Sequence, residues 1–256
     1  MLGAAQTAQL AGWWNTGPAL VNPRRTTAAA TLTTFTFTGL NSANYSTSKA
    51  QFGAGSLNVT GSTQLIQKTS WSGPYPSGTG DFCIEGWVWV PAARGTATTG
   101  DAVCNNQTGG LCIRFGQAYN TGGFNKLSLF ARGQADLDYC NITWPTDTWV
   151  HWAVQRKSAV MSFWANGNRL TITGGSGGGT TNFAAPSSTD LTIGSYNNGG
   201  SSDETMKCWL DEVCASDSWR YDDTYSTYIV PTQAFTVDTI TSMLIHFDSS
   251  LTTAAT

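Results

Sequence analysis

One ten-residue stretch limits what this chain can fold into, because residues 81–90 form the sequence DFCIEGWVWV. Successive side chains of a β-strand point to opposite faces of the sheet. One face of this stretch is then purely apolar, and the other carries Cys83, Glu85, Trp87 and Trp89. With both faces largely apolar, the tryptophan face is either one wall of a core or an exposed binding platform. We expect it to be core.

The composition favours strands and turns over helices. The 256 residues include 28 glycines and 11 tryptophans, with many threonines, and aromatic and β-branched residues are enriched in strands. Charged residues make up only 11% of the chain, against about 25% in an ordinary soluble domain. We therefore expect a folded all-β protein whose surface is polar but carries little charge.

Charge and hydropathy exclude two classes of partner. The net charge is −3, and no basic cluster exceeds the pair Arg24–Arg25, so the sequence lacks the basic stripe of a nucleic-acid-binding surface. An uninterrupted run of about 18 apolar residues, which would indicate a membrane span, is also missing. We expect neither nucleic acid nor a membrane span to be involved.

The chain divides into an arm and one domain. Residues 1–30 have little periodicity and predict an extended N-terminal arm. From Thr31 to the end at residue 256, short alternating runs separated by Gly, Asn and Ser predict a sandwich or a barrel. Asn166–Gly167 predicts a tight hairpin, because both residues tolerate positive φ.

Five motifs occur in the order found in laminin-G-like domains, which this chain resembles over residues 46–235. The matching residues are Asp81, Phe82, Ile84, Glu85, Trp87, Trp149, His151, Ala153, Asn166, Gly167, Leu191, Ile193, Gly194, Asp211, Glu212, Val213, Arg220 and Tyr221. The resemblance implies a two-sheet antiparallel jelly-roll sandwich of the concanavalin A-like type. It also implies that Trp87 packs inside, with Trp89 beneath a loop or against the first 30 residues.

A narrower resemblance concerns the C-terminal part. Residues Met243–Asp248 are similar to an L-L-x-H-F-D strand of structural proteins of tailed bacteriophages. This implies a capsid decoration or tail-fibre protein on the virion surface, with other virion proteins or copies of itself as partners. The alternative is a secreted carbohydrate-binding lectin.

An enzyme of the glucanase type is the less favoured alternative, because it needs carboxylates on one strand face flanking the sugar bond. The E-x-D-x-x-E stretch of such jelly rolls does not occur in the sequence. Asp211 and Glu212 are adjacent, so we expect them on opposite faces. Asp136 and Asp138 share a face if extended, but turn residues flank them and predict solvated loop charges. We expect no catalytic activity.

The resemblance also suggests a calcium-binding site, and calcium is the one cofactor that it implies. Laminin-G-like domains often hold calcium at a loop rim through acidic and backbone oxygens, which are the ligands this ion prefers. Asp211 matches an acid of the family pattern. The loop where relatives place further acidic ligands instead has Gly61, Ser62 and Thr63, which argues against a site.

Three loops carry the aromatic and amide groups that lectins use for sugars. The preferred candidates are Tyr196, Asn197 and Asn198; the others are Tyr119 and Asn120, and Trp71 and Tyr75. The alternative is that all of these are ordinary turn residues.

Cysteines and the arm supply the remaining hypotheses. Cys208 and Cys214 lie about 20 Å apart on one predicted strand and are too distant to pair. Cys104 and Cys112 flank a turn and are able to meet, while most of the six cysteines are expected to be buried thiols. In the arm, Trp13 and Trp14 predict an assembly contact with another subunit.

Overall fold

The computed structural model describes residues 33–36, 38–40, 44–60, 65–71, 73–94, 100–116, 123–134, 136–175, 177–187, 189–195, 206–248 and 252–255. The predicted arm of residues 1–30, with Trp13 and Trp14, lies outside this part of the chain. Within it, the fold is all-β.

The strands of the described residues are short, as the alternating sequence runs predict. In chain order they are β1 Thr33–Thr36, β2 Thr38–Leu40, β3 Asn44–Ser46, β4 Ser56–Val59, β5 Leu65–Trp71, β6 Phe82–Trp89, β7 Gly100–Asn105, β8 Leu111–Phe115, β9 Lys126–Ala131, β10 Asp136–Asn141, β11 Trp149–Lys157, β12 Val160–Ala165, β13 Asn168–Leu170, β14 Ile172–Gly175, β15 Thr189–Ile193, β16 Cys208–Ser216, β17 Thr241–Ile245 and β18 Thr252–Ala255. A single 3₁₀ turn, Ala92–Arg94, is the helical element of the described residues.

These strands form two antiparallel sheets. The ten-stranded sheet has the order β1-β18-β17-β16-β6-β11-β12-β13, with β4 added beside β16 and β3 beside β4. The eight-stranded sheet has the order β14-β10-β9-β8-β7-β15-β5-β2. The two sheets pack face to face, so the predicted two-sheet jelly-roll sandwich is confirmed. No helix of the described residues combines the length and the apolarity that a membrane crossing requires.

The main hydrophobic core lies between the sheets and contains the inward side of β6. Ile84 and Val88 are fully buried there, together with Trp152 from the neighbouring strand β11. Phe115 of the eight-stranded sheet stacks on Trp144, with ring centroids 4.3 Å apart. The apolar side of the DFCIEGWVWV stretch is thus core.

Residues 217–240 cover much of the outer face of the ten-stranded sheet, and we call them the covering segment. Tyr221 and Tyr228 pack on Trp164, and Phe235 packs on Trp87. Trp87 is only 4% exposed, which confirms the interior position that the resemblance implies. The covering segment forms no named strand or helix.

Arg220 fixes the covering segment to the sheet. Its guanidinium lies 3.2 Å from Glu85 of β6 and donates to both oxygens of Asp238, at 2.8 and 3.1 Å. Tyr221 donates to Glu85 at 2.5 Å, and His151 Nε2 lies 3.3 Å from the same carboxylate. All of these groups are buried, so each charge depends on the others for solvation.

A β-bulge in β16 divides the neighbours of that strand. Residues 208–210 pair with β4, whereas residues 213–216 pair with β17. At the break, Glu212 adopts a φ of +53°, the left-handed region that a non-glycine residue rarely occupies. The expectation that Asp211 and Glu212 face opposite sides is therefore wrong. The bulge turns Glu212 to the same outer side, where its Oε2 accepts the Phe235 N–H at 2.5 Å.

Several local predictions are confirmed. The hairpin at Asn166–Gly167 forms, with φ values of +44° and +88°. Cys104 and Cys112 form a disulfide, and the other four cysteines are buried thiols. Asp138 corrects another expectation, since it is a buried strand residue whose Oδ2 accepts the Gly178 N–H at 2.5 Å, not a solvated loop charge.

We expect Arg220→Met to lower the free energy of unfolding by about 3–5 kcal/mol, because it leaves Glu85 and Asp238 buried without a counter-charge. Urea unfolding followed by tryptophan fluorescence measures this. The control is Lys157→Met, which removes the partly exposed pairs with Asp222 and Asp223 (3.2 and 3.0 Å) and should cost less than about 1 kcal/mol. Equal losses in the two variants would contradict the assignment.

We also expect a pH dependence from His246, whose Nδ1 lies 2.6 Å from Glu212 Oε1. The hydrogen bond to Glu212 raises the pKa of His246 above 6.5. Its contribution to stability is therefore complete below the unfolded-state pKa and is lost as the pH rises through the raised folded-state pKa. With only two histidines in the chain, proton NMR titration resolves His246. A pKa at or below 6.5 would refute this, and His246→Gln should reduce the loss of stability as the pH rises above 6.5.

Candidate functional site

Three tryptophans from adjacent strands lie side by side on the outer face of the ten-stranded sheet. In the strand register, Trp89 of β6 is opposite Trp149 of β11 on one side and opposite Trp209 of β16 on the other. The chain neighbours of each, such as Val150 and Leu210, point into the main core. We call Trp149, Trp89 and Trp209 the tryptophan row.

The covering segment leaves the row partly exposed, although Trp149 packs against the cluster that contains Phe235. Its three members are partly exposed, whereas Trp87, two residues before Trp89 on the same face, is buried beneath Phe52 and Phe235. The rings of Trp89 and Trp149 meet edge to face, with centroids 6.0 Å apart. The expectation that the tryptophan face of residues 81–90 is core therefore holds for Trp87, whereas Trp89 belongs to a partly exposed aromatic surface.

A lysine lies across the row. Lys49 Nζ is 4.3 Å from the centroid of the Trp89 ring and 5.1 Å from that of Trp209. An ammonium over an aromatic face is attracted by about 0.5–1 kcal/mol when exposed. Among the described residues no carboxylate forms an ion pair with Lys49, so its charge is available to a ligand on the rings.

An asparagine extends the row. Asn58 of β4 lies opposite Trp209. Its amide oxygen accepts the N–H of Thr60 at 3.0 Å and the hydroxyl of Thr60 at 2.7 Å, which leaves the amide NH₂ as a donor. Because neighbouring strands lie about 4.8 Å apart, the line from Trp149 to Asn58 spans roughly 14 Å. This surface is long enough for more than one sugar ring.

The loop that carries Lys49 is anchored by two carboxylates. Asp211 Oδ2 accepts the N–H groups of Gln51 and Phe52, at 2.9 and 3.2 Å. Asp248 Oδ1 accepts the N–H of Ala54 at 2.9 Å. These bonds hold the loop beside the bulge of β16, and so they position Lys49 over the rings.

Asp211, the residue of the calcium hypothesis, has an anchoring role in the structure. Its second oxygen accepts the N–H of Glu212 at 2.9 Å, so backbone donors engage both oxygens of a fully buried side chain. Burial raises the pKa of Asp211 to about 7, although the N–H groups of Phe52 and Gln51 lower it. In the described part of the chain, no cluster of three or more His, Cys, Asp or Glu side chains could hold a metal ion. The loop at Gly61, Ser62 and Thr63 lies outside that part.

The structure describes two of the predicted sugar-binding residues, and it places both in the core. Trp71 is 1% exposed and Tyr75 is 5% exposed, because both pack between the sheets. Neither ring is available for stacking on a sugar, so this prediction is wrong for both. The other five candidates, Tyr119, Asn120, Tyr196, Asn197 and Asn198, lie outside the described residues.

Sequence reasoning missed the row because its members come from three distant segments. Strand alternation places each tryptophan on the outward face of its own strand, and this much can be read from the sequence. Their alignment depends on the registers between β11, β6 and β16, which no local pattern reveals.

Comparison with known proteins supports the fold. No protein-family model matches the chain, and no curated protein matches its sequence. Among solved structures, it is similar to tailspike protein 2 of an Escherichia coli bacteriophage, with 15% identity and a TM-score of 0.58 over 91% of this chain. The enzymatically active domain of a bacteriophage tailspike protein 2 gives 15% identity and a TM-score of 0.56 over 90%.

A third similar structure is a Bacteroides ovatus protein provisionally described as carbohydrate-binding, with 14% identity and a TM-score of 0.52 over 86% of this chain. The matches span 32%, 36% and 58% of the three neighbours' own lengths, in the order given. At such identities the likeness concerns the fold alone, and the shared fold is the jelly-roll β-sandwich.

Proposed function

We propose that this chain is a non-catalytic glycan-binding module. The observation that carries the proposal is the tryptophan row, a partly exposed line of aromatic rings on a rigid sheet. Sugar rings present apolar faces that stack on aromatic side chains, and their hydroxyl groups need placed polar partners. Lys49 and Asn58 supply those partners along the row.

The rigidity of the row favours binding. Each tryptophan stands on a strand that is hydrogen-bonded on both sides, so little conformational freedom is left for a ligand to remove. Lys49 is held near the rings by the anchored loop. A ligand that contacts or displaces the Lys49 ammonium therefore binds a surface that is already ordered.

A non-catalytic role is supported by the carboxylates on the same outer face. Glu85, Asp211 and Glu212 are fully buried and engaged by Arg220, by backbone N–H groups and by His246. A glycosidase needs two carboxyl groups that flank the sugar bond and reach it. These three have other partners. One similar structure is an enzymatically active domain, so the test below includes a hydrolysis assay.

We further propose that the module belongs to a tailed-phage virion, as a decoration protein or a tail-fibre module. Support comes from the laminin-G-like pattern, from the phage-like segment Met243–Asp248 and from the tailspike likeness. The buried disulfide Cys104–Cys112 suits a protein that works outside the reducing cytoplasm. A location outside the cytoplasm fits a virion protein and a secreted lectin equally. Detection of the protein in purified phage particles would distinguish the two.

We expect Trp89→Ala to weaken glycan binding at least tenfold, about 1.4 kcal/mol, because it removes the central ring of the row. A glycan array with the purified protein, with calcium and again with chelator, identifies ligands. Calorimetry with the best ligand then compares variants. Binding should survive the chelator, and the bound glycan should release no reducing ends.

The matched control is Trp219→Ala. Trp219 is also partly exposed and also lies beneath a lysine, with Lys157 Nζ 4.1 Å from its centroid, but it is on the covering segment. This variant should bind like the unaltered protein. Equal affinities for Trp89→Ala and Trp219→Ala, or silence of the folded protein on the array, would overturn the proposed function.

The arm leads to a separate prediction about partners. We propose that residues 1–30, with Trp13 and Trp14, contact another copy of the chain or another virion protein. Deleting them should reduce the oligomer size measured by light scattering, or abolish incorporation into particles. Unchanged size and unchanged incorporation would refute the assembly role, and the deletion should leave glycan affinity unaltered.

A further inference from the structure

A cleft lies where the chain crosses from one sheet to the other. The strand β13 ends the ten-stranded sheet and β14 ends the eight-stranded sheet, with only Thr171 between them. Residues 224–226 of the covering segment form the opposite wall. The cleft has a volume of about 520 Å³ and is lined by Arg169, Thr171, Ile172, Thr224, Tyr225 and Ser226. This volume is within the range of about 300–1,000 Å³ for small-molecule sites.

The cleft carries the guanidinium of Arg169, which forms no ion pair with the described residues. Arg169 is exposed, and its guanidinium donates one hydrogen bond, from Nη1 to the carbonyl oxygen of Asp223. Since a guanidinium has five N–H donors, most of them stay available. Among the described residues no carboxylate forms an ion pair with Arg169. The nearby carboxylates of Asp222 and Asp223 are taken by Lys157, at 3.2 and 3.0 Å.

The position of the arginine is fixed at its backbone. Its N–H donates to the carbonyl of Ser226 at 2.8 Å, and its side chain lies 5.9 Å from the centroid of the Trp164 ring. The bond to Asp223 adds a third restraint. The guanidinium is therefore held at the cleft without a partner that would compete with an anionic ligand.

The remaining lining suits a sugar. Ile172 is 41% exposed, and Tyr225 is partly exposed on the other wall. Together they offer apolar surface to the C–H face of a ring. The hydroxyl groups of Thr171 and Ser226 offer hydrogen bonds to sugar hydroxyls, and the Thr224 hydroxyl, which donates to Asp222 at 2.9 Å, can accept one.

We propose that this cleft binds a carboxylate-bearing sugar, such as a uronic acid, with Arg169 holding the carboxylate. A planar guanidinium matches a carboxylate in two parallel hydrogen bonds. The inference rests on the proposed function for the ligand class, a glycan, but it uses different residues from the tryptophan row. It makes the protein selective for acidic glycans, whose neutral part would lie elsewhere on the surface.

The test compares two ligands that differ at one group: methyl β-D-glucuronide, with a carboxylate, and methyl β-D-glucoside, with a hydroxymethyl group. Binding is measured by ligand-observed NMR titration at low salt. We expect the glucuronide to bind at least tenfold more tightly than the glucoside. Arg169→Gln should remove this preference, whereas Arg169→Lys should keep part of it, since it retains the charge but not the fork.

Two further variants separate this site from the row. Lys49→Gln removes the cation of the row, and Trp89→Ala removes its central ring; both should leave the preference for glucuronide intact. If Lys49→Gln loses the preference for glucuronide and Arg169→Gln keeps it, the cleft assignment is overturned while the proposed function stands. Equal binding of the two sugars, or binding of neither, by the folded protein would also overturn it. If the folded protein binds nothing on the glycan array but keeps its preference for glucuronide, the tryptophan row is rejected as a glycan site and the cleft assignment stands.

Discussion

The rest of the outer face depends on one buried interaction, the contact of Arg220 with Glu85 and Asp238. It joins the middle of β6 to both ends of the covering segment, so that Tyr221, Tyr228 and Phe235 pack over Trp87 and Trp164. Hydrogen bonds from Arg220 and Thr241 lower the pKa of Asp238 to about 2, against the effect of burial. A buried charge network tolerates few alternative arrangements. The covering segment is therefore held in one place, and it leaves the row partly exposed.

That boundary gives one strand two roles. The outer side chains of β6 begin as core, at Cys83 and Trp87, and end as partly exposed surface at Trp89. The bulge at Asp211 and Glu212 acts at the same level of the sheet. It lets β4 replace β17 beside β16, and it supplies the carboxylate that anchors the loop with Lys49. Fold and candidate site thus share residues, because the bulge that changes the neighbour of β16 also anchors the loop beside the tryptophan row.

Prediction from sequence succeeded where the signal was local. Alternation identified β6, β11 and β16, and Asn166–Gly167 identified a hairpin, because both signals depend on a few consecutive residues. It failed for Trp71 and Tyr75, since a segment rich in Gly, Pro and Ser suggested an exposed loop. Packing between the sheets instead buries both rings. It also failed for Asp138, whose buried position depends on Gly178, a residue 40 positions away in the chain.

The sequence by itself determined the fold class, the apolar side of each main strand and the identity of Trp87 as a core residue. The first two follow from a two-residue period and from the high cost of leaving large apolar side chains in water, whereas the core position of Trp87 follows from the resemblance to laminin-G-like domains. Only the tertiary structure decided which tryptophans stand side by side, which aspartate anchors a loop, and where Arg169 meets Tyr225. Each of these is a relation between distant segments, set by strand register, by one bulge and by the course of the covering segment. A local pattern is the same in any register, so it contains none of this information.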